Sequence, residues 1–405
     1  MLQILSSVTQ SPVVLPRGAD WPTALVPGLY VHIPFCFHKC HYCDFYSITR
    51  QTPERMALFV DLLLAEAKSW TNQSNLHLQP QTVFFGGGTP SLLPLDEMRR
   101  LIAGLREIFD FSQCNEWTVE ANPATVTLDY CRMLAGSGVN RLSFGAQSFD
   151  RAELALLERH HQPDEVPASV EIARSAGFSR LNLDLIYALC GQTPESWSRS
   201  LDAAIALGTE HLSCYALTYE PNTPLAVRKR LGRVQAVEED VELEMARIAR
   251  ARLLAAGLSQ YEISNYSRPA AECRHNLLYW TGGDYIGLGP SAASHIQGWR
   301  WKNKPHLGEW ERTIQSGNLP AIEVEHLSPR RRAGELAMLS LRLTRGIRFQ
   351  DLQEKFGINA AQEYAPILDR YAKENLLEPT PNGVRLTPRA WSVADALAAE
   401  FLLED

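Results

Sequence analysis

The first half of the sequence alternates between two hydrophobic periods, and this alternation limits the chain to few folds. Short β-branched or aromatic runs with a period of two are followed by amphipathic segments with a period near 3.6. The repetition predicts strand–helix units around a parallel sheet. The predicted strands cover residues 29–33, 82–85, 117–120, 141–144, 181–185 and 212–217, and the predicted helices cover 53–70, 95–109, 128–137, 163–176, 194–207 and 241–256.

Six such units favour an α/β fold in which the strands form a partial, open (β/α)6 barrel related to the eight-stranded TIM barrel. In such barrels the chemistry lies at the C-terminal ends of the strands. Residues 261–266 read as a further strand, before a glycine-rich stretch at 281–289.

Composition changes near residue 304, and the remaining chain reads as a separate module. Helical patterns and a hairpin turn signal predict a mostly helical, winged-helix-like domain. The helical patterns cover 328–345, 349–356, 360–374 and 388–403, and the hairpin covers 377–386. We therefore predict a lead-in over 1–27, a core barrel over 28–257, an extension over 258–304 and a C-terminal domain over 305–405.

Charge and hydropathy exclude some classes of protein. The 405 residues carry a formal net charge of −7, whereas a nucleic-acid-binding protein would normally show a basic face. No apolar run approaches the roughly 18 residues that a membrane-spanning helix requires. The N-terminal stretch lacks a basic segment followed by a long apolar one, so we expect a cytoplasmic protein without a secretory signal.

Three cysteines lie within eight residues, directly after the first predicted strand. Cys36, Cys40 and Cys43 have the spacing C-x₃-C-x₂-C. In a reducing compartment such a group indicates a metal or catalytic site rather than disulfides. Three thiolates on a [4Fe–4S] cubane leave one iron open, whereas four thiolates make an electron carrier. The open iron can chelate the amino and carboxylate groups of S-adenosylmethionine (SAM), to which the cluster can deliver an electron.

A structural zinc ion is the alternative interpretation of these cysteines. Zinc requires four ligands, and His38 or His41 would supply the fourth. Zinc sites typically pair one C-x₂-C with a distant second pair, and the spacing here differs. The pattern therefore favours the cubane.

A Gly-Gly-Gly-Thr-Pro segment ends the second predicted strand, at the same edge as the cysteines. Glycines such as Gly87 and Gly88 allow the backbone to approach a ligand closely, and Thr89 follows them. The backbone groups can bind the amino group of SAM. The alternative is a glycine turn that serves tight packing between strand and helix.

Polar residues recur at the ends of the following strands. Glu120 ends the third strand, Gln147 follows the fourth and Asp184 lies in the fifth. Buried polar groups are costly unless they are paired, so several on successive strands indicate a ligand site, although each alone is explained by a satisfied core position. Arg159 lies beyond the fourth strand and suits a carboxylate, or it is an ordinary solvated arginine.

Taken in order, these motifs resemble the oxygen-independent coproporphyrinogen III oxidase group of radical SAM proteins, over about residues 28–300. The matching segments are Tyr30-Val-His-Ile-Pro-Phe-Cys, the three cysteines, Gly-Gly-Gly-Thr-Pro, Glu-Ala-Asn-Pro, Gly-Ala-Gln-Ser-Phe and Asn-Leu-Asp-Leu-Ile. The resemblance implies that Cys36, Cys40 and Cys43 ligate the cluster. It implies that SAM is contacted by Tyr30, Tyr42, Gly87, Gly88, Thr89, Glu120, Gln147, Arg159 and Asp184.

Two branches of this group differ near the third cysteine. The oxidases carry a fourth cysteine two positions later, where this chain has Phe45. The chain instead resembles the haem chaperone branch, which also carries an H-N-x-x-Y-W motif, present here at residues 275–280. That resemblance implies haem as a ligand, acceptor haemoproteins as partners, and an electron donor such as flavodoxin or ferredoxin.

The H-N-x-x-Y-W motif has a chemistry that suits haem. The imidazole of His275 is a natural axial ligand, and Tyr279 and Trp280 offer flat aromatic surfaces for a porphyrin. The alternative is a structural histidine in an aromatic-rich loop. Two functions follow: a haem chaperone that binds and transfers haem, or a radical SAM decarboxylase acting on coproporphyrinogen III, against which the absence of a cysteine at Phe45 argues.

Overall fold

Six parallel strands form the centre of the computed structural model, which describes residues 14–18 and 20–405. They lie side by side in chain order within a mixed sheet. The strands are β1 (Ala24–Ile33), β2 (Leu76–Gly87), β3 (Glu116–Ala121), β4 (Arg141–Gln147), β5 (Arg180–Tyr187) and β6 (His211–Ala216). The helices between them are α1 (Pro53–Gln73), α2 (Leu95–Ile108), α3 (Leu128–Gly136), α4 (Arg151–Leu156), α5 (Glu165–Ser175) and α6 (Pro194–Ala206).

The next part of the chain extends this sheet at both edges. The elements are α7 (Pro224–Arg230), α8 (Glu239–Ala255), β7 (Ser259–Gln260), β8 (Asn265–Ser267), α9 (Arg274–Trp280), β9 (Tyr285–Leu288), β10 (Ala293–Ile296), β11 (Trp299–Asn303), α10 (Leu307–Gln315) and β12 (Ala321–His326). Strand β9 runs parallel to β1, and β10 to β12 continue antiparallel from it. At the other edge β8 and β7 follow β6.

The predicted α/β fold with parallel strands is confirmed, and the sheet is open. Its order runs from β12 through β9, β1 and β6 to β7, and within the described residues the two edges do not pair. An open sheet leaves the C-terminal ends of β1 to β6 accessible from one side, where ligands bind in parallel α/β folds.

One local prediction is wrong, and one motif takes a form that the sequence did not specify. The strand expected at 261–266 is split into the hairpin strands β7 and β8, because Glu262 accepts hydrogen bonds from Ser264 and Asn265 and closes a turn between them. The motif at 275–280 is a helix, α9, rather than a loop.

The predicted lead-in is only partly described. Residues 1–13 and Ala19 lie outside the described residues, and β1 begins at Ala24, before the predicted boundary at residue 27. The domain boundaries at 27, 257 and 304 stay predictions.

The C-terminal part has a hydrophobic cluster of its own, from Ala333 to Phe401. A three-stranded sheet packs there with five helices. Its elements are α11 (Pro329–Ser340), β13 (Ile347–Arg348), α12 (Phe349–Phe356), α13 (Ala360–Glu363), α14 (Ala365–Lys373), β14 (Leu377–Thr380), β15 (Gly383–Leu386) and α15 (Ala394–Ala399). Across the described chain, none of the helices has the length and apolar character that crossing a membrane demands.

Threonines mark the starts of several helices around the sheet. The hydroxyls of Thr52, Thr127 and Thr193 accept hydrogen bonds from backbone N–H groups in the first turns of α1, α3 and α6. Proline follows Thr52 and Thr193 at the first helical position, where its missing N–H costs nothing. These caps direct each chain segment away from the sheet edge that carries the polar residues.

A buried carboxylate ties α1 to the added strands. Glu66 accepts hydrogen bonds from the Gly289 amide at 2.8 Å, the Asn303 side chain at 2.6 Å and the Trp310 indole at 3.0 Å. The residue is fully buried, and burial raises its pKa to about 7 against these hydrogen bonds. Glu66 therefore satisfies donors from three elements with one side chain.

We predict that Glu66→Gln changes both stability and its pH dependence. Glutamine loses the acceptor for Asn303, which costs about 1–3 kcal/mol. Between pH 4.5 and about 7 the folded wild type holds a proton that the unfolded chain has lost, so its stability falls as pH rises through that window. The free energy of unfolding, measured with urea at pH 5 and pH 8, should decline less between these pH values in the variant than in the wild type. An equal decline in both proteins would contradict this. The control is exposed Glu107→Gln.

Candidate functional site

The loop with the three cysteines leaves the C-terminal end of β1 and is closed at its base by backbone hydrogen bonds. The Cys36 amide donates to the Ile48 carbonyl at 2.9 Å, and the Ile48 amide donates to the Pro34 carbonyl at 2.8 Å. Inside the loop the Cys43 amide donates to the Cys40 carbonyl at 3.2 Å. The short spacing between the cysteines thus becomes a compact turn over the end of β1.

Two of the three thiols lie close to polar groups outside the cysteine loop. Cys36 Sγ lies 3.6 Å from the Thr89 hydroxyl, and Arg159 Nη1 lies 3.7 Å from Cys40 Sγ. Burial raises the pKa of the Cys36 thiol and raises that of Cys43 to about 11. A positive guanidinium beside Cys40 suits a site that holds thiolates once iron is bound.

A cubane and a single zinc ion place different demands on the three thiols. A tetrahedral zinc ion requires its ligands to converge on one point, whereas a [4Fe–4S] cubane takes each thiolate on a different iron. Among the described residues, no group of three or more His, Cys, Asp or Glu side chains is arranged to hold a single metal ion.

The triple-glycine segment joins β2 to the cysteine loop. The Gly88 amide donates to the Ile33 carbonyl at 2.9 Å, and the Thr89 amide donates to the Phe35 carbonyl at 2.7 Å. Gly87 has a φ of +102°, and a Cβ there would lie 2.4 Å from the His32 ring. Close packing within the chain therefore already requires glycine here, which is the alternative that the sequence left open.

A cavity of about 640 Å³ lies at this edge of the sheet. Its floor carries Glu120 from β3, Ser143 from β4, and Asn182 and Asp184 from β5, so neighbouring strands place polar groups at matching heights. Asp184 accepts hydrogen bonds from Ser143 at 3.0 Å and Asn182 at 2.9 Å. The sheet register thus brings together residues that lie far apart in sequence.

Two carboxyls share this floor, and their protonation responds to burial. Burial, and then the charge of Asp184, raises the pKa of Glu120 to about 8. Burial also raises the pKa of Asp184, against hydrogen bonds from Ser213, Asn182 and Ser143. Buried Arg141 lies near both and lowers these pKa values. The floor is therefore suited to a cationic group, which would favour the ionised carboxylates.

Gln147 is the last residue of β4, and Arg159, which follows α4, reaches back to the same end of that strand. Arg159 Nη2 donates to the Gly145 carbonyl at 2.6 Å, so the guanidinium bridges β4 and the cysteine loop. A Cβ on Gly145 would lie 2.8 Å from the Gln147 amide and 3.2 Å from Arg159. Gln147 has a φ of +64°, the left-handed region that non-glycine residues rarely adopt. Strained backbone of this kind often accompanies a functional site.

The two tyrosines predicted for the site occupy different places. Tyr30 lines the cavity and donates a hydrogen bond of 3.1 Å to His32, whose other ring nitrogen donates to the Tyr46 carbonyl at 2.8 Å. Tyr42 instead packs against a small hydrophobic cluster that contains Leu157. It does not contribute to the cavity wall formed by the described residues.

His275 lies below the cavity wall in α9 and is 0% exposed. Its Nδ1 is 2.9 Å from the Thr82 hydroxyl and its Nε2 is 2.7 Å from the Tyr279 hydroxyl. Burial lowers its pKa to about 3. Both ring nitrogens already have partners, whereas Tyr279 and Trp280 face the cavity.

The sequence interpretation missed several cavity residues. His32 shares the strand face of Tyr30, two residues away, so the period of a strand could have indicated it. Arg141 is a charged residue at the start of a buried strand, the signal that was used for Asp184. His295 and Arg332 also line the cavity but lie on β10 and α11, which sequence reasoning did not bring near β1.

Two segments of the chain match known protein families. Residues 30–204 match the radical SAM superfamily, and residues 327–393 match the HemN C-terminal domain. The matched segments include the cysteine loop, the triple-glycine segment and the polar floor.

Curated relatives match over nearly the whole chain. A protein of Mycobacterium tuberculosis named heme chaperone HemW is 36% identical over 400 residues, covering 97% of this chain and 99% of the relative. The Bacillus subtilis protein of that name is 32% identical, covering 93% and 99%. The Escherichia coli one is 39% identical over 269 residues, covering 66% and 70%.

Among solved structures, coproporphyrinogen III oxidase (HemN) from Escherichia coli, described as a radical SAM enzyme, superimposes with a TM-score of 0.81. It is 24% identical, and the match covers 93% of this chain and 90% of that one. At this identity the similarity shows the fold alone. Because the relatives in Mycobacterium tuberculosis and Bacillus subtilis align over nearly their full length, the chain belongs to the HemW family within the radical SAM superfamily, whose members bind SAM and a [4Fe–4S] cluster.

Proposed function

We propose that this protein binds haem and transfers it to acceptor haemoproteins, with a SAM-binding [4Fe–4S] cluster in a supporting or gating role. The observation that carries the proposal is the cavity wall, where Tyr279 and Trp280 of α9 face the same space as Phe45 of the cysteine loop. Flat aromatic surfaces around an apolar space suit a porphyrin. The names of the relatives support this ligand.

We infer that Cys36, Cys40 and Cys43 hold the cluster and that one iron stays open to SAM. The bound cluster would supply a single electron to SAM. Within the chain, Arg159 beside Cys40 would balance thiolate charge, and Thr89 would hydrogen-bond Cys36. The loop base at Ile48 would keep these ligands over the end of β1.

The SAM contacts of the family map to positions around this loop. Glu120 and Asp184 on the floor would meet the cationic part of SAM, and Arg159 would meet its carboxylate. Gly87 and Tyr30 line the cavity, and Gln147, Gly88 and Thr89 would contact SAM from the side of the cysteine loop. Tyr42 belongs to the loop itself and would anchor it through its packing against the hydrophobic cluster that contains Leu157.

The prediction that His275 is the iron ligand would require one of its two hydrogen bonds to break. Tyr279 and Trp280, on the same helix, already line the cavity while both hydrogen bonds of His275 are intact. The motif supports haem binding through Tyr279 and Trp280 in either case.

Phe45 is relevant to two further questions, which are where an electron donor binds and whether the protein is an oxidase. Its side chain is 69% exposed, beside the cluster ligands and at the position of the fourth cysteine of the oxidases. Phe37 of the same loop is exposed too, and these two aromatic side chains would offer apolar surface to a donor such as flavodoxin or ferredoxin near the cluster. A flavodoxin or ferredoxin partner, like the three free thiols of Cys36, Cys40 and Cys43, is consistent with a cytoplasmic location.

Haem binding is tested by titrating anaerobically reconstituted protein with haemin. We expect a saturable shift of the Soret band, and transfer of the bound haem to an apo-haemoprotein. The same preparation, supplied with SAM and reductant, should not convert coproporphyrinogen III. Absence of saturable haemin binding would contradict the proposal, and formation of protoporphyrinogen would establish the oxidase instead.

Loss of one cluster thiol should abolish the cluster. Replacing Cys40 with serine removes a soft ligand from the only three that the loop supplies. After anaerobic reconstitution we expect iron and sulfide contents to fall to background, with loss of the visible iron–sulfur absorption. Cys114→Ser is the matched control, because Cys114 lies at the end of the sheet remote from this loop and should retain wild-type iron.

Binding of SAM should strengthen as pH rises. Before SAM binds, Glu120 is mostly protonated at pH 7 because its pKa is about 8, and a bound cation favours the ionised form. Affinity measured by equilibrium dialysis should therefore increase from pH 6.5 to pH 8.5. Glu120→Gln should bind more weakly and lose this dependence, whereas Glu107→Gln should keep it. If the SAM affinity of Glu120→Gln still rose with pH as in the wild type, Glu120 would not be a contact of SAM.

A further inference from the structure

We infer that the cavity binds haem between β10 and α11, with His295 as the ligand of the iron and Arg332 as the partner of a propionate. This inference rests on the proposed function and names the residues that receive the ligand. Both side chains line the same cavity as Tyr279 and Trp280. Neither belongs to the H-N-x-x-Y-W motif.

The surroundings of His295 match those of a metal-binding histidine. Its Nδ1 lies 3.3 Å from the Gly283 carbonyl and 3.8 Å from the Asp284 carboxylate. A carbonyl can only accept, so Nδ1 carries the proton and Nε2 carries the lone pair. Metal-binding histidines are commonly held in this way, with the second nitrogen donating to a carbonyl or carboxylate. Asp284 is itself fixed by two hydrogen bonds from Gln297 at 2.9 and 2.8 Å.

The lone pair of His295 is not used elsewhere. Within the described chain Nε2 has no hydrogen-bond partner, while the side chain is 14% exposed and contributes to the cavity wall. Burial lowers the pKa of His295, with Arg300 and Arg332 acting in the same direction and Asp284 opposing them. The imidazole is therefore neutral at physiological pH, which is the form that binds iron.

His275 is a poorer candidate than His295 for the iron ligand. Both of its nitrogens are hydrogen-bonded, and the ring is stacked on Phe84 at a centroid distance of 5.4 Å below the wall. Ligation there would break the contact with Thr82 or Tyr279 and leave a buried polar group without a partner. The contrast between the two histidines assigns iron ligation to His295 and a structural role to His275, which positions Tyr279.

Arg332 supplies the anion-binding part of the site. Its guanidinium lies 5.3 Å from the centroid of Phe356, and within the described residues no carboxylate lies within 4 Å of it. Neighbouring Arg300, by contrast, pairs with Glu325 and Glu335. Asp284 and Glu335 act on this guanidinium only from beyond ion-pair distance. A partly buried guanidinium without a directly paired carboxylate is costly, and a propionate would supply two acceptors for its fork of N–H groups.

The ligand assignment is tested by haemin binding to His295→Ala, with His275→Ala and exposed His77→Ala as comparisons. Electron paramagnetic resonance of the ferric complex reports an axial imidazole directly. We expect His295→Ala to lose that signature and to bind haemin about tenfold or more weakly, the factor that 1.4 kcal/mol represents. Free imidazole should restore the signature. His275→Ala and His77→Ala should keep it.

Folding and the proposed function are controlled in the same experiment. Imidazole rescue shows that the cavity of His295→Ala is intact, and His295→Gln, which retains a donor toward Gly283, is the second variant. A wild-type imidazole signature that persists in both His295 variants, or that is lost in His275→Ala alone, would overturn the assignment. Failure of wild-type protein to bind haemin would instead reject the proposed function.

The propionate contact is tested with Arg332→Gln and the dimethyl ester of haemin. The variant should bind haemin about tenfold more weakly than wild type, in line with loss of a charge-assisted hydrogen bond. It should bind the ester as well as wild type does, because the ester carries no anion. Exposed Arg345→Gln is the control. An equal loss for haemin and the ester would contradict a propionate contact.

Discussion

The hydrogen bonds at the C-terminal end of β1 hold the two halves of the site together. Ile33 and Phe35 offer their carbonyls to Gly88 and Thr89, so the cysteine loop and the end of β2 share one short stretch of backbone. Glycine at position 87 lets this contact form against the His32 ring. This contact therefore fixes the cysteine loop against the end of β2, beside the strands that carry the polar floor.

From that contact the site extends in two directions of different chemistry. Toward β3 to β5 the wall is polar, with Glu120 and Asp184 on strands whose register sets their heights. Toward β10 and α11 it is aromatic and carries His295 and Arg332. The first region suits a small charged cofactor, and the second suits a flat ligand with carboxylates. The two regions differ in chemistry although they belong to one cavity.

Helix α9 shows how a sequence motif acquires its meaning from packing. Its histidine, which the motif singles out, is used to fix Tyr279 and to contact Thr82 on β2. Glu116 accepts hydrogen bonds from the amides of Arg274 and His275, so the first turn of the helix is tied to β3. The aromatic side chains then project from a rigid element, which favours a defined orientation of a bound porphyrin.

The sequence by itself determined the alternation of strands and helices, the compact group of Cys36, Cys40 and Cys43, and the polar residues at the strand ends. These are local properties: periodicity, spacing and the parallel order of strands suffice to place them on one edge. Only the tertiary structure decided that β9 to β12 extend the sheet beside β1. The pairing of β9 with β1 joins segments some 250 residues apart in sequence. That pairing turns His295 toward the cavity and leaves His275 buried beneath it, a distinction that residue type and spacing do not contain.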